Sequence, residues 1–180
     1  TGVKGVVREY PFVPGIDVAG EVIESNDDKF NVGDLVIASG YKIGMAFYGG
    51  FGEMVQLPHE FIVNLPDGLS LKQSMQIGTA GLTAAASVKK IIDSGISNDL
   101  PVLVSGATGG VGSVAVNLLS NLGYVVHALT GKSEEVQTLK DMGASEVVLR
   151  EDFMADPIKA LDKGIYLSLI HISEPTRRRG

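Results

Sequence analysis

The stretch Ser105-Gly-Ala-Thr-Gly-Gly-Val-Gly112 decides the fold of this 180-residue chain. It follows a short apolar segment and leads into a helical pattern over Val111–Leu122. Aligned with the fingerprint G-x-G-x-x-G, the three glycine places hold Ala107, Gly109 and Gly112. Such a turn lets the backbone approach a pyrophosphate closely, and the helix behind it offers unpaired N–H groups to the phosphates. Its strand–turn–helix setting predicts a dinucleotide site, and the alternative is a glycine-rich surface turn without a ligand.

Strands and helices alternate on both sides of this turn. Short apolar segments at Pro101–Val104, Tyr124–Leu129 and Glu146–Leu149 are predicted strands. Helical patterns at Val111–Leu122 and Ser133–Met142 separate them, and a glycine follows each pattern. Since parallel strands need a crossover between them, this order predicts an α/β fold with a doubly wound parallel sheet.

The part of the chain before residue 69 has a different pattern. Short apolar or alternating segments are separated by turns that contain glycine or proline. These segments are Val18–Ile23, Leu35–Ala38, Gly49–Leu57 and Phe61–Leu65. They predict a small antiparallel β-rich domain over residues 1–68. Ser70 is a predicted N-cap, and helical patterns follow at Leu71–Ile77 and Ala80–Ile92.

The composition excludes several kinds of site. The chain has no cysteine, so it cannot form disulfides, thiolate zinc sites or cysteine-ligated iron–sulfur clusters. Its net charge of −6 disfavours a nucleic-acid partner, which normally needs a basic face. No apolar run approaches the roughly 20 residues of a membrane helix, and no secretory signal pattern opens the chain. We expect a cytoplasmic protein with neither a membrane nor a nucleic-acid partner.

The residues after the second predicted strand discriminate between coenzymes. NAD-binding folds usually carry Asp or Glu there, which accepts hydrogen bonds from the ribose 2′-OH. This chain has Leu129-Thr-Gly-Lys-Ser133 instead, with no carboxylate. Thr130 and Ser133 can donate hydrogen bonds to a 2′-phosphate, and Lys132 attracts it. The segment predicts NADPH over NADH, and the alternative is that Lys132 is a solvated loop charge.

The final segment, Leu167–Gly180, breaks the alternating pattern. A sheet of the predicted kind needs further strands, and we expect this segment to supply none. Leu167–Arg177 reads LSLIHISEPTR, which resembles a translated adapter from a sequencing library. We therefore expect residues 167–180 to be a non-native tail, and the alternative is a natural basic tail.

Four segments of the sequence resemble the medium-chain dehydrogenase/reductase superfamily. They are Tyr10–Gly20 (YPFVPGIDVAG), Gly33-Asp34, Ile77–Ala84 (IGTAGLTA) and Ser105–Val114. Within the superfamily, the chain is most similar to the zinc-free YhdH/YhfP-type group, which includes acrylyl-CoA reductases and quinone oxidoreductases. Zinc alcohol dehydrogenases carry Gly-His-Glu where this chain has Gly15-Ile16-Asp17, and isoleucine cannot ligate zinc. His59 and His127 lack ligand spacing and His171 falls in the final segment, so we expect no metal site.

The resemblance implies a domain organisation and a reaction. Residues 1–68 would form a GroES-like catalytic domain without its N-terminal part, and residues 69–166 the first half of an NADP-binding Rossmann domain. The implied reaction is hydride transfer from NADPH to an activated C=C bond of a small-molecule substrate, with acrylyl-CoA the favoured acceptor. The alternatives are an NADPH:quinone oxidoreductase and, in another class, a non-enzymatic nucleotide-binding protein. The intact protein is expected to be a homodimer, and this chain alone to be inactive.

The resemblance and the fingerprint together name the candidate site residues. The cofactor-binding residues are Thr79, Ala80, Thr108, Gly109, Gly110, Val111, Gly112, Thr130, Gly131 and Lys132. By resemblance, the turn Gly78–Ala80 lies near the nicotinamide, and a close contact between helices is the alternative. Tyr48 is a candidate proton donor, with a packing role as the alternative, and the other catalytic residues are expected upstream of Thr1. Asp17 is expected to make a structural hydrogen bond.

Overall fold

The computed structural model describes residues 10–155 and 167–169 of the chain. It divides into two units, Thr1–Thr79 and Ala80–Gly180. The first unit is an antiparallel sheet with long connections, and the second is a parallel sheet with helices. The change of pattern in the sequence falls at residue 68, and the predicted domain bounds 1–68 and 69–166 stay a prediction.

Three strands form the sheet of the first unit. They are β1 (Asp17–Glu21), β2 (Leu35–Ser39) and β3 (Val63–Asn64). The strands pair antiparallel in the order β1-β2-β3, with Asp17 opposite Ser39 and Val36 opposite Asn64. A short 3₁₀ turn, His59–Phe61, precedes β3. The prediction of a small antiparallel β-rich region is therefore confirmed for three of its four segments.

The segment Gly49–Leu57 was the fourth predicted strand, and that prediction is wrong. Its first residues turn their backbone toward the loop before β1 instead of toward a neighbouring strand. The N–H groups of Gly49 and Phe51 donate to the carbonyl oxygens of Val13 and Pro14, at 2.8 and 3.0 Å. Because these donors are satisfied by a loop, no strand ladder starts here, and the residues that follow also form no strand.

Helix α1 (Leu71–Asp93) contains a break at Gly78, which has φ 48° and ψ −154°. Glycine adopts a positive φ without the steric cost that a Cβ imposes. Ser70 begins the helix with a capping box: Ser70 Oγ accepts from the N–H of Gln73 at 3.2 Å, and Gln73 Oε1 accepts from the N–H of Ser70 at 2.9 Å. The predicted N-cap and the predicted interruption are both present.

The second unit contains a four-stranded parallel sheet. Its strands are β4 (Val102–Ser105), β5 (Val126–Thr130), β6 (Glu146–Leu149) and β7 (Leu167–Leu169), in the order β6-β5-β4-β7. Its helices are α2 (Gly110–Asn121), α3 (Val136–Asp141) and α4 (Arg150–Ala155). A 3₁₀ turn, Ser133–Glu135, takes the place of the first turn of the predicted helix Ser133–Met142. The predicted parallel α/β sheet is confirmed.

A single apolar core holds this sheet to its helices. The largest fully buried apolar side chains of this core are those of Leu119, Leu139, Val102, Val104, Val116 and Val126. They come from alternate positions of β4, the start of β5, one face of α2 and the middle of α3. The second half of α1 contributes Ala84, Val88 and Ile91. Burial of a Val or Leu side chain contributes about 1.5–3 kcal/mol. The core lies beneath the glycine turn and fixes the ends of the strands that lead into it.

The expectation that the final segment supplies no strand is wrong for its first three residues. Leu167–Leu169 pairs parallel with β4, with Leu167 opposite Val102 and Leu169 opposite Val104. Strand pairing uses main-chain groups, so an unpaired edge accepts any extended segment that reaches it. The non-native origin of the tail stays a prediction, and residues 170–180, which include His171, lie outside the described part of the chain.

Within residues 10–155, no helix has the length and apolar character needed to cross a bilayer.

Candidate functional site

The glycine turn connects the carboxyl end of β4 to the first residue of α2. Gly109 is the N-cap of α2, with φ −79° and ψ 165°, and the first helical hydrogen bond runs from the N–H of Ser113 to its carbonyl oxygen at 2.9 Å. The N–H groups of Gly110, Val111 and Gly112 therefore precede the first helical donor, the N–H of Ser113, and have no partner inside the helix. No acidic side chain lies in this first turn. The arrangement presents three backbone donors and the positive end of the helix dipole to an anion.

Close packing inside the turn explains why glycine occupies several of its positions. A Cβ on Gly112 would overlap the carbonyl oxygen of Gly106 and would lie 2.9 Å from the Cα of Ala107. The N–H of Gly109 donates to the same Gly106 oxygen at 2.9 Å. Since this amide is already bonded within the turn, the donors left for a ligand are those of the three residues that follow.

Ala107 occupies the first place of the fingerprint and is completely buried. Its N–H donates to the carbonyl oxygen of Leu129 on β5, at 3.2 Å. This bond ties the turn after β4 to the end of the neighbouring strand. The methyl group of Ala107 packs in the apolar core. Alanine in place of the first glycine of the fingerprint therefore leaves the turn intact.

The second half of α1 reaches the glycine turn at Ala80. A Cβ on Gly110 would lie 3.4 Å from the Cβ of Ala80. Two of the sequence-predicted cofactor residues are thus neighbours, although they are far apart in the chain. A side chain larger than hydrogen at position 110 would therefore contact Ala80.

The residues after β5 form a tight turn at the carboxyl edge of the sheet. Thr130 is 2% exposed, and its Oγ1 accepts a hydrogen bond from the N–H of Lys132 at 3.1 Å. Gly131 and Lys132 are exposed. Thr130 therefore shapes the turn from beneath, and direct contact of its hydroxyl with a 2′-phosphate stays a prediction.

Sequence reasoning missed one residue at this edge. The guanidinium carbon of Arg150 lies 3.5 Å from the position that a Cβ on Gly131 would take. Arg150 directly follows β6 as Gly131 directly follows β5. A basic residue at the end of a third parallel strand was the signal that could have identified it, since carboxyl ends of neighbouring parallel strands share one edge.

In the first unit, Asp17 and Thr79 form the expected structural hydrogen bond. Thr79 Oγ1 donates to Asp17 Oδ1 at 2.6 Å, across 62 positions of sequence. The same carboxylate packs on the break in α1, because a Cβ on Gly78 would lie 2.9 Å from Asp17 Oδ2. The bond orients the hydroxyl of Thr79 and holds the break in place. A contact of Thr79 with nicotinamide stays a prediction.

Tyr48 lies beside an open cavity in the first unit, with its side chain 58% exposed. Its ring centroid is 6.0 Å from that of Phe12. Tyr41, at the other end of the same loop, stacks on Phe61 at 4.6 Å, and Phe47 meets Phe61 edge-on at 5.2 Å. Both tyrosine rings therefore make aromatic contacts, and both residues are more than half exposed. The role of Tyr48 as a proton donor stays a prediction.

Both histidines within the described ranges pair with carboxylates. His59 Nδ1 lies 2.7 Å from Asp27 Oδ2, and His127 Nδ1 lies 3.3 Å from Glu146 Oε2. Among residues 10–155, no three His, Asp or Glu side chains converge in the way that a metal ion requires.

Comparison with known proteins places this geometry in a family. Residues 2–67 match the alcohol dehydrogenase GroES-like domain. YhfP of Bacillus subtilis, whose name marks it as a candidate quinone oxidoreductase, is 50% identical over 159 residues, which are 88% of this chain and 48% of YhfP. The acrylyl-CoA reductase AcuI of Ruegeria pomeroyi is 41% identical over 167 residues, which are 92% of this chain and 51% of AcuI. The chain belongs to the medium-chain dehydrogenase/reductase superfamily.

A solved structure of this superfamily has the same fold. The YhdH oxidoreductase of Salmonella enterica in complex with NADP is 42% identical and superposes with a TM-score of 0.79, over 82% of this chain and 46% of the other. The fold class predicted from the sequence, a GroES-like region followed by a parallel sheet, is confirmed. The chain spans about half the length of the curated relatives it matches.

Proposed function

We propose that this medium-chain dehydrogenase/reductase chain binds a nicotinamide dinucleotide and is part of an oxidoreductase. The observation that carries the proposal is the row of three helix-N-terminal amides at Gly110–Gly112, at the carboxyl edge of a parallel sheet. The cradle fits a pyrophosphate because its first turn contains no acidic side chain, and the absence of a Cβ at Gly112 lets the turn pack closely enough to form it. The names of solved relatives support the same ligand, since YhdH was crystallised with NADP and YhfP with NAD.

When bound, the coenzyme would supply a hydride, which together with one proton reduces the substrate. The residues of this chain would bind and orient it. The amides of Gly110–Gly112 would hold the pyrophosphate, and Lys132 would attract a 2′-phosphate. Thr79, oriented by Asp17, would meet the nicotinamide end. With isoleucine at position 16 and no cysteine, the proposed reaction is independent of zinc.

Isothermal titration of the whole protein that contains this chain tests the coenzyme assignment. NADPH and NADH are titrated separately, and we expect NADPH to bind more tightly because Lys132 replaces the carboxylate of NAD-specific folds. Equal affinities would refute the preference for NADPH. Binding of neither coenzyme would refute the proposed function.

The favoured acceptor is the C=C bond of acrylyl-CoA, because AcuI covers more of this chain than YhfP does. In that reaction the hydride goes to the β-carbon and a proton to the α-carbon of the thioester. The higher identity of YhfP, 50% against 41%, favours a quinone as the second candidate. NADPH oxidation by the whole protein with acrylyl-CoA and with 1,4-benzoquinone separates the two. Coenzyme binding without turnover of either acceptor would indicate a non-enzymatic nucleotide-binding protein.

A cytoplasmic location and a homodimeric state complete the proposal. Gel filtration with light scattering measures the oligomeric state of the whole protein, and a monomeric mass would refute the homodimer.

A further inference from the structure

The turn after β2 has a backbone conformation that its residue types do not favour. Tyr41 and Lys42 have φ values of 47° and 65°, and among the described residues no others except glycines have a positive φ. The N–H of Ile43 donates to the carbonyl oxygen of Gly40 at 2.8 Å. This bond and the two positive φ values define a type I′ turn, whose central positions usually hold Asn-Gly or Gly-Gly. A residue with a Cβ costs free energy at each of these positions.

Packing contacts explain the first of these two residues. The Tyr41 ring stacks on the Phe61 ring, with 4.6 Å between the centroids and 10° between the planes. Ile43, at the other end of the turn, is completely buried. These contacts stabilise the turn and account for a tyrosine at position 41, but none of them involves the side chain of Lys42.

The ammonium group of Lys42 is not neutralised in the part of the chain that the structure describes. Lys42 is exposed, and no salt bridge of its side chain occurs among the described residues. Its carbonyl oxygen, in contrast, accepts from the N–H groups of Met45, Ala46 and Phe47 at 3.0, 2.9 and 3.3 Å. The main chain that carries the lysine is therefore fixed, while its ammonium group is open to a ligand. A strained residue that packing does not explain points to a function.

The same loop forms one wall of a cavity in the first unit. The cavity has a volume of about 610 Å³ and is lined by Tyr10–Val13, Ala46–Gly49 and Met54–Gln56. None of these lining residues has a charged side chain. An uncharged cavity with a cation on its own loop suits a ligand that has an uncharged reactive end and an anionic end.

The charge of the first unit makes this cation important for an anionic ligand. Within residues 10–79, acidic residues outnumber the cations, which are Lys29, Lys42 and Lys72. Of these three, Lys42 alone lies on the loop that lines the cavity. An acidic unit repels an anionic ligand unless a cation lies where the anionic group binds.

We propose that Lys42 is a specificity-determining residue that binds a phosphate group of coenzyme A when a coenzyme A thioester is the acceptor. This inference rests on the proposed function, in which acrylyl-CoA is the favoured acceptor. The acyl end of the thioester is uncharged and enters the cavity, and the pantetheine arm places the phosphates outside it. The ammonium group forms charge-assisted hydrogen bonds with phosphate oxygens. Glycine would fit the turn without strain, but it would supply no cation.

Steady-state kinetics of the whole protein with two acceptors test this assignment. The acceptors are acrylyl-CoA and acrylyl-pantetheine, which keeps the thioester but has no phosphate. Lys42→Met should raise the KM for acrylyl-CoA about 10-fold at unchanged kcat, because it removes a binding contact remote from the C=C bond. The KM for acrylyl-pantetheine and the KM for NADPH should stay within about twofold. Lys72→Met is the matched control, since it removes the same charge from an exposed position on α1.

Two further variants separate the effect of the charge from the effect of the strain. Lys42→Gly removes both, so it should raise the urea midpoint of unfolding and still raise the KM for acrylyl-CoA about 10-fold. Lys42→Arg keeps a cation and should retain most of the affinity for acrylyl-CoA. A residue with only a structural role would not distinguish the two acceptors, so higher stability with weaker binding of acrylyl-CoA alone is the result that supports the inference.

The outcomes separate this inference from the proposed function. An unchanged KM for acrylyl-CoA in Lys42→Met would overturn the assignment, and so would an equal rise for both thioesters. A higher KM for NADPH in Lys42→Met would mean that the lysine contacts the coenzyme, which also overturns it. Reduction of 1,4-benzoquinone but of neither thioester by the unaltered protein would overturn it together with the favoured acceptor. If the unaltered protein binds neither coenzyme, the proposed function itself fails.

Discussion

Replacement of Gly112 by alanine tests the phosphate-binding turn most directly. The added Cβ would overlap the Gly106 carbonyl oxygen and would lie 2.9 Å from Ala107 Cα, whereas ordinary contacts begin at 3.4 Å. The turn must therefore move by at least 0.5 Å, the difference between these two distances. Both neighbours are backbone atoms, so no side-chain rotation can relieve the overlap.

Two opposing terms set the size of the effect on stability. Overpacking of a closely packed site costs about 1–3 kcal/mol. Replacement of glycine by alanine within a helix contributes about 0.5–1 kcal/mol of stability. Because the clash is with backbone, we place the cost in the upper part of its range and expect a net loss of about 1–2 kcal/mol in the free energy of unfolding. Displacement of the amides at Gly110–Gly112 should weaken NADPH binding by about 10- to 100-fold.

Urea denaturation monitored by circular dichroism measures the loss of stability. Titration calorimetry with NADPH measures the loss of affinity. Gly20→Ala is the control, since a Cβ on Gly20 in β1 would meet no atom within 4 Å. That variant should change stability by no more than about 1 kcal/mol, in the favourable direction. If Gly112→Ala retains both the stability and the NADPH affinity of the unaltered protein, the close-approach explanation of the turn is wrong.

Three further substitutions test the packing that supports the site. Leu119→Ala empties a completely buried position of the core and should lower the free energy of unfolding by about 2–5 kcal/mol in urea denaturation, and a loss below 1 kcal/mol would contradict its burial. Ser70→Ala removes the N-cap of α1 and should cost about 0.5–2 kcal/mol, whereas Ser70→Asp, which can also cap, should restore most of the loss in the same assay. Asp17→Ala removes a charged acceptor from the Thr79 hydroxyl and should cost about 1.5–3 kcal/mol by thermal and urea unfolding, and an unchanged midpoint would show that the bond contributes nothing.

The sequence predicted the second unit well because its signals are local. The apolar segments that became β4, β5 and β6 were located to within one or two residues, since a buried parallel strand reads as a short apolar run between turn residues. The glycine turn before α2 is also a local signal, because its backbone geometry limits which residues can occupy it.

Predictions failed where pairing depends on distant partners. Gly49–Leu57 has the composition of a strand, but its first backbone donors bond to the loop at Val13–Pro14. Leu167–Leu169 was not expected to pair, yet it extends the sheet beside β4.

 In both places the main chain of another segment decides the pairing, and the pairing residues Leu167–Leu169 and Val102–Val104 are far apart in sequence.

Residue types and their spacing were sufficient to determine the parallel α/β architecture, the phosphate-binding turn and the lack of a carboxylate after β5, because each depends on a few consecutive residues. Only the tertiary structure placed Arg150 over Gly131 and joined Asp17 to Thr79. These contacts depend on which strands are neighbours and on where α1 is broken, and such long-range geometry follows from the packing of the whole unit.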